Sequence, residues 1–287
     1  MTEVSVIVPS FNCANHISAT IDSIRNQTLQ SFELIIVDDG STDDTKAVVK
    51  SYLDKRIKYI YQDNRGVSGA RNRGALEARG KFVAFVDADD SVAPETLELL
   101  SDILNRSGAS WCVTDVLSFR NKIQDVINCE IPEDIFYGIL ENDFVTRGFF
   151  FRRQSLMAIG GYDETLRTRE DWDLNIRMIR NREEFRYVSR PLYSYYFRQG
   201  SLTSKKSTVL DDTLRVLRKH HKSLADKGDS LAARIYSQQL WELGRRYFYS
   251  QRNVIRGGFC IVQSVAYDRN MSRVGHALRH RASQIWG

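Results

Sequence analysis

A recurrence in the first ninety residues constrains this chain more than any other feature: a short apolar run, an abrupt polar stop, then a stretch of helical spacing. Val4 to Val8 is nearly continuous in apolar residues and ends at Pro9. Phe32 to Val37 stops at Asp38-Asp39-Gly40-Ser41, Ile57 to Tyr61 forms a third run, and Lys81 to Val86 stops at Asp87-Ala88-Asp89-Asp90. Runs without polar alternation mark strands buried on both faces. Between them, Asn15 to Gln27 carries Ile17, Ile21 and Ile24 at helical spacing. Thr42 to Leu53 reads as a helix with Thr42 or Asp43 as its N-cap, and Gly69 to Ala78 as one closed by Gly80. The alternation predicts an α/β fold, a mostly parallel central sheet with helices on both faces.

In open α/β sheets ligands bind outside the carboxyl ends of the strands. The polar residues collect there, at Asn12, Asp38, Asp39, Asp87 and Asp89. If the chain stays extended through Asp87-Ala88-Asp89, both carboxylates point to one side. Two hard oxygen donors so placed suit Mn²⁺ or Mg²⁺ shared with a diphosphate, whose leaving charge the metal would neutralise. The same residues suit a helix start, with Asp90 or Ser91 as the cap. Asp38 and Asp39 fit either ribose and base contacts or a turn and cap.

Beyond Pro94 the pattern loosens. Glu95 to Asn105 reads as a helix and Ser110 to Phe119 as a strand, while Asn121 to Asp143 has no clear period. Phe149 to Arg153, the Gly160-Gly161 turn and a helix from Glu170 to Arg180 form a second region of interest. Its acidic start, Glu170-Asp171-Trp172-Asp173, suits capping beside a core aromatic, or a partly desolvated general base toward an acceptor hydroxyl. From Thr208 onward the chain reads as helical, through Leu210, Leu214, Leu217, Leu240, Leu243 and Tyr247.

The net charge of +5 is unevenly spread, with about 14 Lys/Arg against 6 Asp/Glu after Thr208 and a mildly acidic body before it. A basic tail suits an anionic partner, membrane lipid or nucleic acid, and equally a solvated helical face. No nucleic-acid motif accompanies the charge, so nucleic acid is not expected as a partner. Cys13, Cys112, Cys129 and Cys260 form no CxxC pair and have no His at metal spacing, which fits a reducing cytosol. No apolar run approaches the ~18 residues of a membrane span. The chain opens Met-Thr-Glu and runs straight into a strand, unlike a secretory leader. The expectation is a cytoplasmic protein, in contact with the inner face of the membrane only peripherally.

Five ordered segments carry a resemblance that none carries alone. They are Val6 through Asn12, Val37 through Asp43, Asn64 through Gly74, Phe85 through Asp90, and Gly160-Gly161-Tyr162-Asp163-Glu164 followed by Glu170 through Leu174. Together they resemble a family 2 glycosyltransferase of the inverting GT-A type, over about the first 200 residues. The resemblance implies a catalytic domain over 1–207, with a nucleotide-sugar half at 1–110 and an acceptor half at 111–207, then a basic helical extension at 208–287. It implies that Pro9, Phe11 and Asn12 line the nucleotide pocket, with Asp38 and Asp39 toward base or ribose. Arg71 would face the diphosphate or sugar, and Asp87, Ala88 and Asp89 would form the metal-binding DxD, Asp89 nearest the metal. Asp171 would be the catalytic base, with Glu170 supporting the acceptor or the loop. Phe11 stands where many members have Tyr. The run Gln199 to Thr203 resembles the family's closing loop only loosely, which leaves Arg198 or Lys205 to contact the diphosphate.

The implied partners are a nucleotide-sugar donor, with uridine diphosphate as the family's habit, and a glycan or lipid-linked glycan acceptor in bacterial-type polysaccharide assembly. A homodimer is a further option. The basic tail, notably Arg245 to Tyr249 and Arg269 to Arg281, would supply the membrane contact or pack on the core or on a second subunit. The main rival is a nucleotide-sugar binding protein without catalysis, which has no need of Asp171. An oxidoreductase is disfavoured because Pro9-Ser10-Phe11-Asn12 stands where GxGxxG belongs.

Overall fold

A computed structural model describes residues 2–120, 123–145, 147–198, 206–251 and 253–267. The chain divides into two compact units, one of Met1–Ile139 with Asp143–Ser201, the other of Leu140–Asn142 with Leu202–Gly287.

In the first unit the opening strands are β1 (Val4–Ser10), β2 (Phe32–Asp38), β3 (Ile57–Tyr61) and β4 (Phe82–Phe85). They are parallel and lie in the order β3-β2-β1-β4. Period-2 alternation along β1 shows why both faces are apolar. Val4, Val6 and Val8 join one core with Ile17, Ile21 and Ile24 of helix α1 (Ile17–Arg25). The opposite face presents Ile7 to helix α3 (Val67–Glu77), where Gly74 lets the helix approach so closely that an added Cβ would lie 2.4 Å from Ile7 Cγ2. Helices on both faces and a near-continuous apolar strand are therefore one fact.

The strand order reverses at β1, between β2 and β4, and this opens a crevice at their carboxyl ends. Beyond β4 the sheet becomes mixed. After the short β5 (Ser91–Val92) and helix α4 (Thr96–Ser107) come β6 (Trp111–Arg120), β7 (Ile123–Ile127), helix α5 (Ile135–Glu141), β8 (Arg147–Arg152), helix α6 (Arg153–Ala158), helix α7 (Glu170–Arg180) and β9 (Phe185–Tyr196). β8 runs antiparallel between β4 and β6, β9 lies parallel to β6, and β5 closes the far edge against β9. Strand β7, exposed at every residue, pairs only with β6 among the described residues. An exposed strand with no buried face leaves no apolar period, which is why 121–143 is unreadable as sequence.

Three local expectations change. Helix α2 (Thr45–Lys50) starts later than Thr42, because the Asp43 carboxylate accepts from the Thr45 amide (3.0 Å) and Thr42 is held by Asn12. Helix α4 starts at Thr96, so neither Asp90 nor Ser91 caps it. Ala78, after α3, is already extended, and the Gly80 N–H donates to Ser5 Oγ (2.8 Å) in a niche where a Cβ would lie 2.6 Å from the Ser5 nitrogen.

In the second unit α8 (Lys206–Leu217) continues through a π-helical turn, Arg218–Lys222, into the short α9 (Ser223–Ala225). Helix α10 (Ser230–Gln251) packs along α11 (Val254–Tyr267), with Gly244 fitted against the Gly257 carbonyl. The Arg269 to Arg281 stretch and the Gln199 to Lys205 segment lie outside the described residues.

Candidate active site

The crevice is built from three chain segments: the ends of β1 and β2, the turn after β4, and the start of α7. At the first, the predicted nucleotide residues divide by exposure. Phe11 presents half its surface to solvent, whereas Pro9, Asp38 and Asp39 are buried. Asn12 adopts a left-handed φ of 50° and its Oδ1 accepts from the Thr42 amide (2.8 Å), while its own N–H donates to Ser41 Oγ (2.9 Å). An Asn at such a φ is tolerated because its short amide can bond locally. Asp38 accepts from the Ser41 amide (2.8 Å) and from the Tyr59 hydroxyl (2.5 Å). Asp39 accepts from Gln62 Nε2 and from the Arg65 and Gly66 amides, each at 2.8 Å. Gly66 has a φ of 86°, so its N–H can turn toward Asp39 without a side-chain clash. Asp39 thus shapes the loop into α3, and Asp38 the turn that follows β2.

After β4 the chain does not stay extended. The Asp90 N–H donates to the Asp87 carbonyl (3.0 Å), closing a turn at Ala88-Asp89. Ala88 is buried, while the Asp87 and Asp89 side chains keep 27% and 39% of their surface. Asp90 is the anchor: it accepts from the Tyr193 hydroxyl (2.8 Å) and the Tyr196 amide (3.1 Å), and Tyr193 oxygen in turn accepts from the Asp87 amide (3.1 Å). A buried carboxylate so bonded to β9 holds the turn in place.

The third segment is joined to the second by Arg71, on α3. Its guanidinium is 4% exposed, donates to Asp87 Oδ1 (2.8 Å) and Glu170 Oε1 (2.9 Å), and has Asp171 Oδ1 at 3.6 Å. The ring of Tyr162 lies 5.0 Å from its charged carbon. Burial opposes the charge, but Asp87, Asp171 and Glu170 more than offset it and hold Arg71 protonated. Glu170 is pushed up to about 7, by burial and then by the Asp171 charge, against the pull of Arg71. Asp171 is 40% exposed at the helix start, where the α7 dipole favours an anion. Trp172 points inward and donates from its indole to the Ile139 carbonyl (2.7 Å); Asp173 is fully buried against Arg177 (2.8 Å). The acidic run thus separates into a solvent-facing Asp171 and structural neighbours.

Arg198, at the end of β9, places Nε 3.3 Å from Asp89 Oδ2 and Nη1 3.4 Å from His16 Nε2. Burial and the charge of Asp87 raise the Asp89 carboxyl above its usual value, against Arg198. Two like charges in partial burial are what a divalent cation relieves, so the donor set fits Mn²⁺ or Mg²⁺. Such ions take one or two protein carboxylates and fill the rest of the shell with water and phosphate. Among the described residues no group of three or more His, Cys, Asp or Glu side chains is placed to hold a metal ion.

Sequence reasoning missed Tyr193, Tyr59, Gln62 and Asp143, which stand outside any motif, and Asn175, one residue past the Glu170 to Leu174 segment. Tyr162 lay inside a quoted motif, and only the fold shows it against Arg71.

The site is thus a mixed α/β crevice in which one buried arginine gathers carboxylates from two segments, Asp87 and Glu170 with Asp171. Residues 5–160, more than half of the chain, match the model described as Glycosyl transferase family 2, and the chain belongs to that family. It is 31% identical to glycosyltransferase GlyA of Streptococcus pneumoniae over 70% of this chain and 31% of that protein. It is 28% identical to the uncharacterized glycosyltransferase YibD of Escherichia coli K12 over 78% and 73%. It is 41% identical to the putative glycosyltransferase EpsH of Bacillus subtilis over 33% and 28%. The chain thus spans about a third of the length of GlyA and of EpsH. Among solved structures, residues 1–349 of TarS from S. aureus in complex with UDP-GlcNAc superpose with a TM-score of 0.69 at 21% identity, over 92% of this chain and 82% of that one. At that identity the likeness establishes the GT-A-type fold.

Proposed function

We propose that this chain transfers a sugar from a nucleotide diphosphate donor to an acceptor hydroxyl, with inversion at the anomeric carbon. One observation carries the reading: Arg71 ties Asp87, at the end of β4, to Glu170 and Asp171, at the start of α7, drawing together acidic groups more than eighty residues apart in the chain. Family membership and a structural neighbour that binds UDP-GlcNAc support a uridine diphosphate sugar as donor.

In this reading Phe11 offers a ring face to the base, and Asp39 offers oxygens to the base or ribose. Asp171 is the general base. It removes the acceptor proton as that oxygen attacks the anomeric carbon from the side opposite the departing nucleotide diphosphate, so one displacement inverts the centre. Glu170 and Arg71 hold Asp171 in place and set its electrostatic surroundings. Asp89, with Asp87, would hold a divalent cation, which when bound supplies charge compensation to the departing diphosphate. Arg198 supplies a positive charge on the same side.

Thermal shift and donor hydrolysis across a nucleotide-sugar panel, with Mn²⁺ or EDTA, test this on wild type and Asp89→Ala. The expected result is stabilisation and slow hydrolysis with one donor, dependent on metal and lost in Asp89→Ala. Stabilisation without turnover against every acceptor favours the non-catalytic binding protein, and no stabilisation by any nucleotide refutes the donor site.

For the second unit we infer a peripheral contact with anionic lipid. Helix α11 carries no carboxylate and exposes Ile255, Phe259 and Val262 at helical spacing, Ile255 at 86%. Exposed Arg245 and Arg256, ion-paired with Glu242 and Asp211, lie on the same two packed helices. An apolar stripe with flanking cations suits a headgroup boundary, and no helix among the described residues is long and apolar enough to cross a membrane. Flotation with liposomes containing phosphatidylserine should recover the protein at low salt, and Ile255→Glu with Val262→Glu should abolish recovery. Recovery undiminished in that variant would sink the idea.

A further inference from the structure

Behind Asp171 lies a small cavity that the transfer chemistry above leaves unused. Its volume is about 90 Å³, and Arg71, Asp171, Asp143, Asn175, Tyr162 and Phe149 line it. Asp171 and Asn175 are four residues apart on α7 and therefore share a helix face. Asn175 is buried, and its amide nitrogen donates directly to Asp143 Oδ1 (3.1 Å), so the two form one polar pair in the lining. Tyr162 and Phe149 supply buried ring walls.

The lining is half polar chemistry and half aromatic wall, beside a general base. The cavity volume is well above the ~10–15 Å³ that one water requires, so a hydroxyl or hydroxymethyl substituent fits. Asp143 and Asn175 offer both donors and acceptors to such a group, and aromatic walls suit the C–H face of the carbon that bears it.

We propose that this cavity is a subsite for a small hydroxyl-bearing substituent of the sugar at the reacting centre, with Asp143 and Asn175 as the residues that select it. The inference rests on the transferase reading. Burial, opposed by the Asn175 hydrogen bond and aided by the Asp171 charge, pushes the Asp143 carboxyl up to about 7. Near neutral pH it therefore spends part of its time protonated and able to donate to a hydroxyl oxygen. A site that hydrogen-bonds a hydroxyl rejects the analogue lacking it, because the buried polar groups are left unpaired.

The substituent can belong to the donor sugar or to the acceptor, and two arms separate these sources. In the first, the best donor from the panel and its analogues lacking one hydroxyl or the hydroxymethyl group are compared by hydrolysis kcat/KM. In the second, the donor is fixed and transfer to methyl glucoside, methyl xyloside and glycerol is compared. Wild type, Asn175→Leu and Asp143→Asn are assayed in both, with circular dichroism and melting to confirm folding. The expected result is a discrimination of at least about tenfold in one arm, collapsing toward onefold in Asn175→Leu and shrinking in Asp143→Asn. Equal ratios in folded wild type and variants, with turnover retained, overturn the subsite and leave the transferase reading standing. Absence of donor binding and turnover in wild type overturns both.

Discussion

Arg71 is the residue on which the site turns. A guanidinium at 4% exposure survives only because carboxylates surround it, and removing one member of such a buried network costs about 3–5 kcal/mol. Asp171 differs from its neighbours in being open to solvent, so Asp171→Asn should leave the fold and donor affinity nearly intact. Turnover is expected to fall by about 10²–10⁴, the usual worth of a positioned base. Isothermal titration with donor and single-turnover transfer measure the two effects separately, and equal losses in both would assign Asp171 to binding. Glu170, held near 7, should impose an ascending limb on kcat/KM as pH rises through about 7. Its ionised form strengthens the hold on Arg71 and raises the basicity of Asp171. Glu170→Gln should displace that limb, and a profile unmoved in that variant assigns the limb to another group such as Asp143. The two acidic clusters were legible as motifs, but their division of labour was not. Asp38, Asp90 and Asp173 look like Asp89 and Asp171 in sequence, and only burial and hydrogen bonding set them apart.

At the level of elements, legibility follows burial. The parallel strands β1 to β4 and α7 were readable because an apolar period and a polar stop bound each of them. The start of α2 and the exposed β7 were not, since a capping aspartate and a neighbouring strand define them instead. Helix α3 shows a further hidden term: Gly74 sets the distance from α3 to β1. Gly74→Ala puts a Cβ 2.4 Å from Ile7 Cγ2 and should cost about 1–3 kcal/mol by overpacking. Gly258, inside α11, has nothing within 4 Å of an added Cβ, and Gly258→Ala should instead stabilise by about 0.4–1 kcal/mol. Urea unfolding of the two variants beside wild type checks the opposite signs. A shift of the same sign in both would mean that helix propensity, not the approach to Ile7, governs Gly74.

For the whole molecule, the helical extension was foreseeable from leucine spacing and charge, whereas its internal polar core was not. His221 sits fully buried in the second unit, with Nε2 2.7 Å from the Leu140 carbonyl. A carbonyl accepts, so Nε2 carries the proton and donates, and the ring can be neutral. Burial is the main cause that lowers the His221 pKa from 6.5 to about 4, with the nearby His220 adding to it and the Leu140 bond opposing. The sign then follows. Above pH 6.5 neither folded nor unfolded histidine binds the proton, and stability is at its full value. As pH falls from 6.5 to 4 the unfolded chain takes up a proton that the folded protein refuses, so stability is lost, by about 3 kcal/mol across the window. Other carboxylates titrate over the same range, which makes the comparison with a variant decisive. Gln at 221 keeps an N–H for the Leu140 carbonyl and cannot titrate, so His221→Gln should lose less stability than wild type between pH 6.5 and 4 and match it in slope above 7. Chemical denaturation at intervals of half a pH unit measures this. Parallel curves for the two proteins across that window would show that His221 is charged in the folded state and that its burial is balanced by a neighbouring anion.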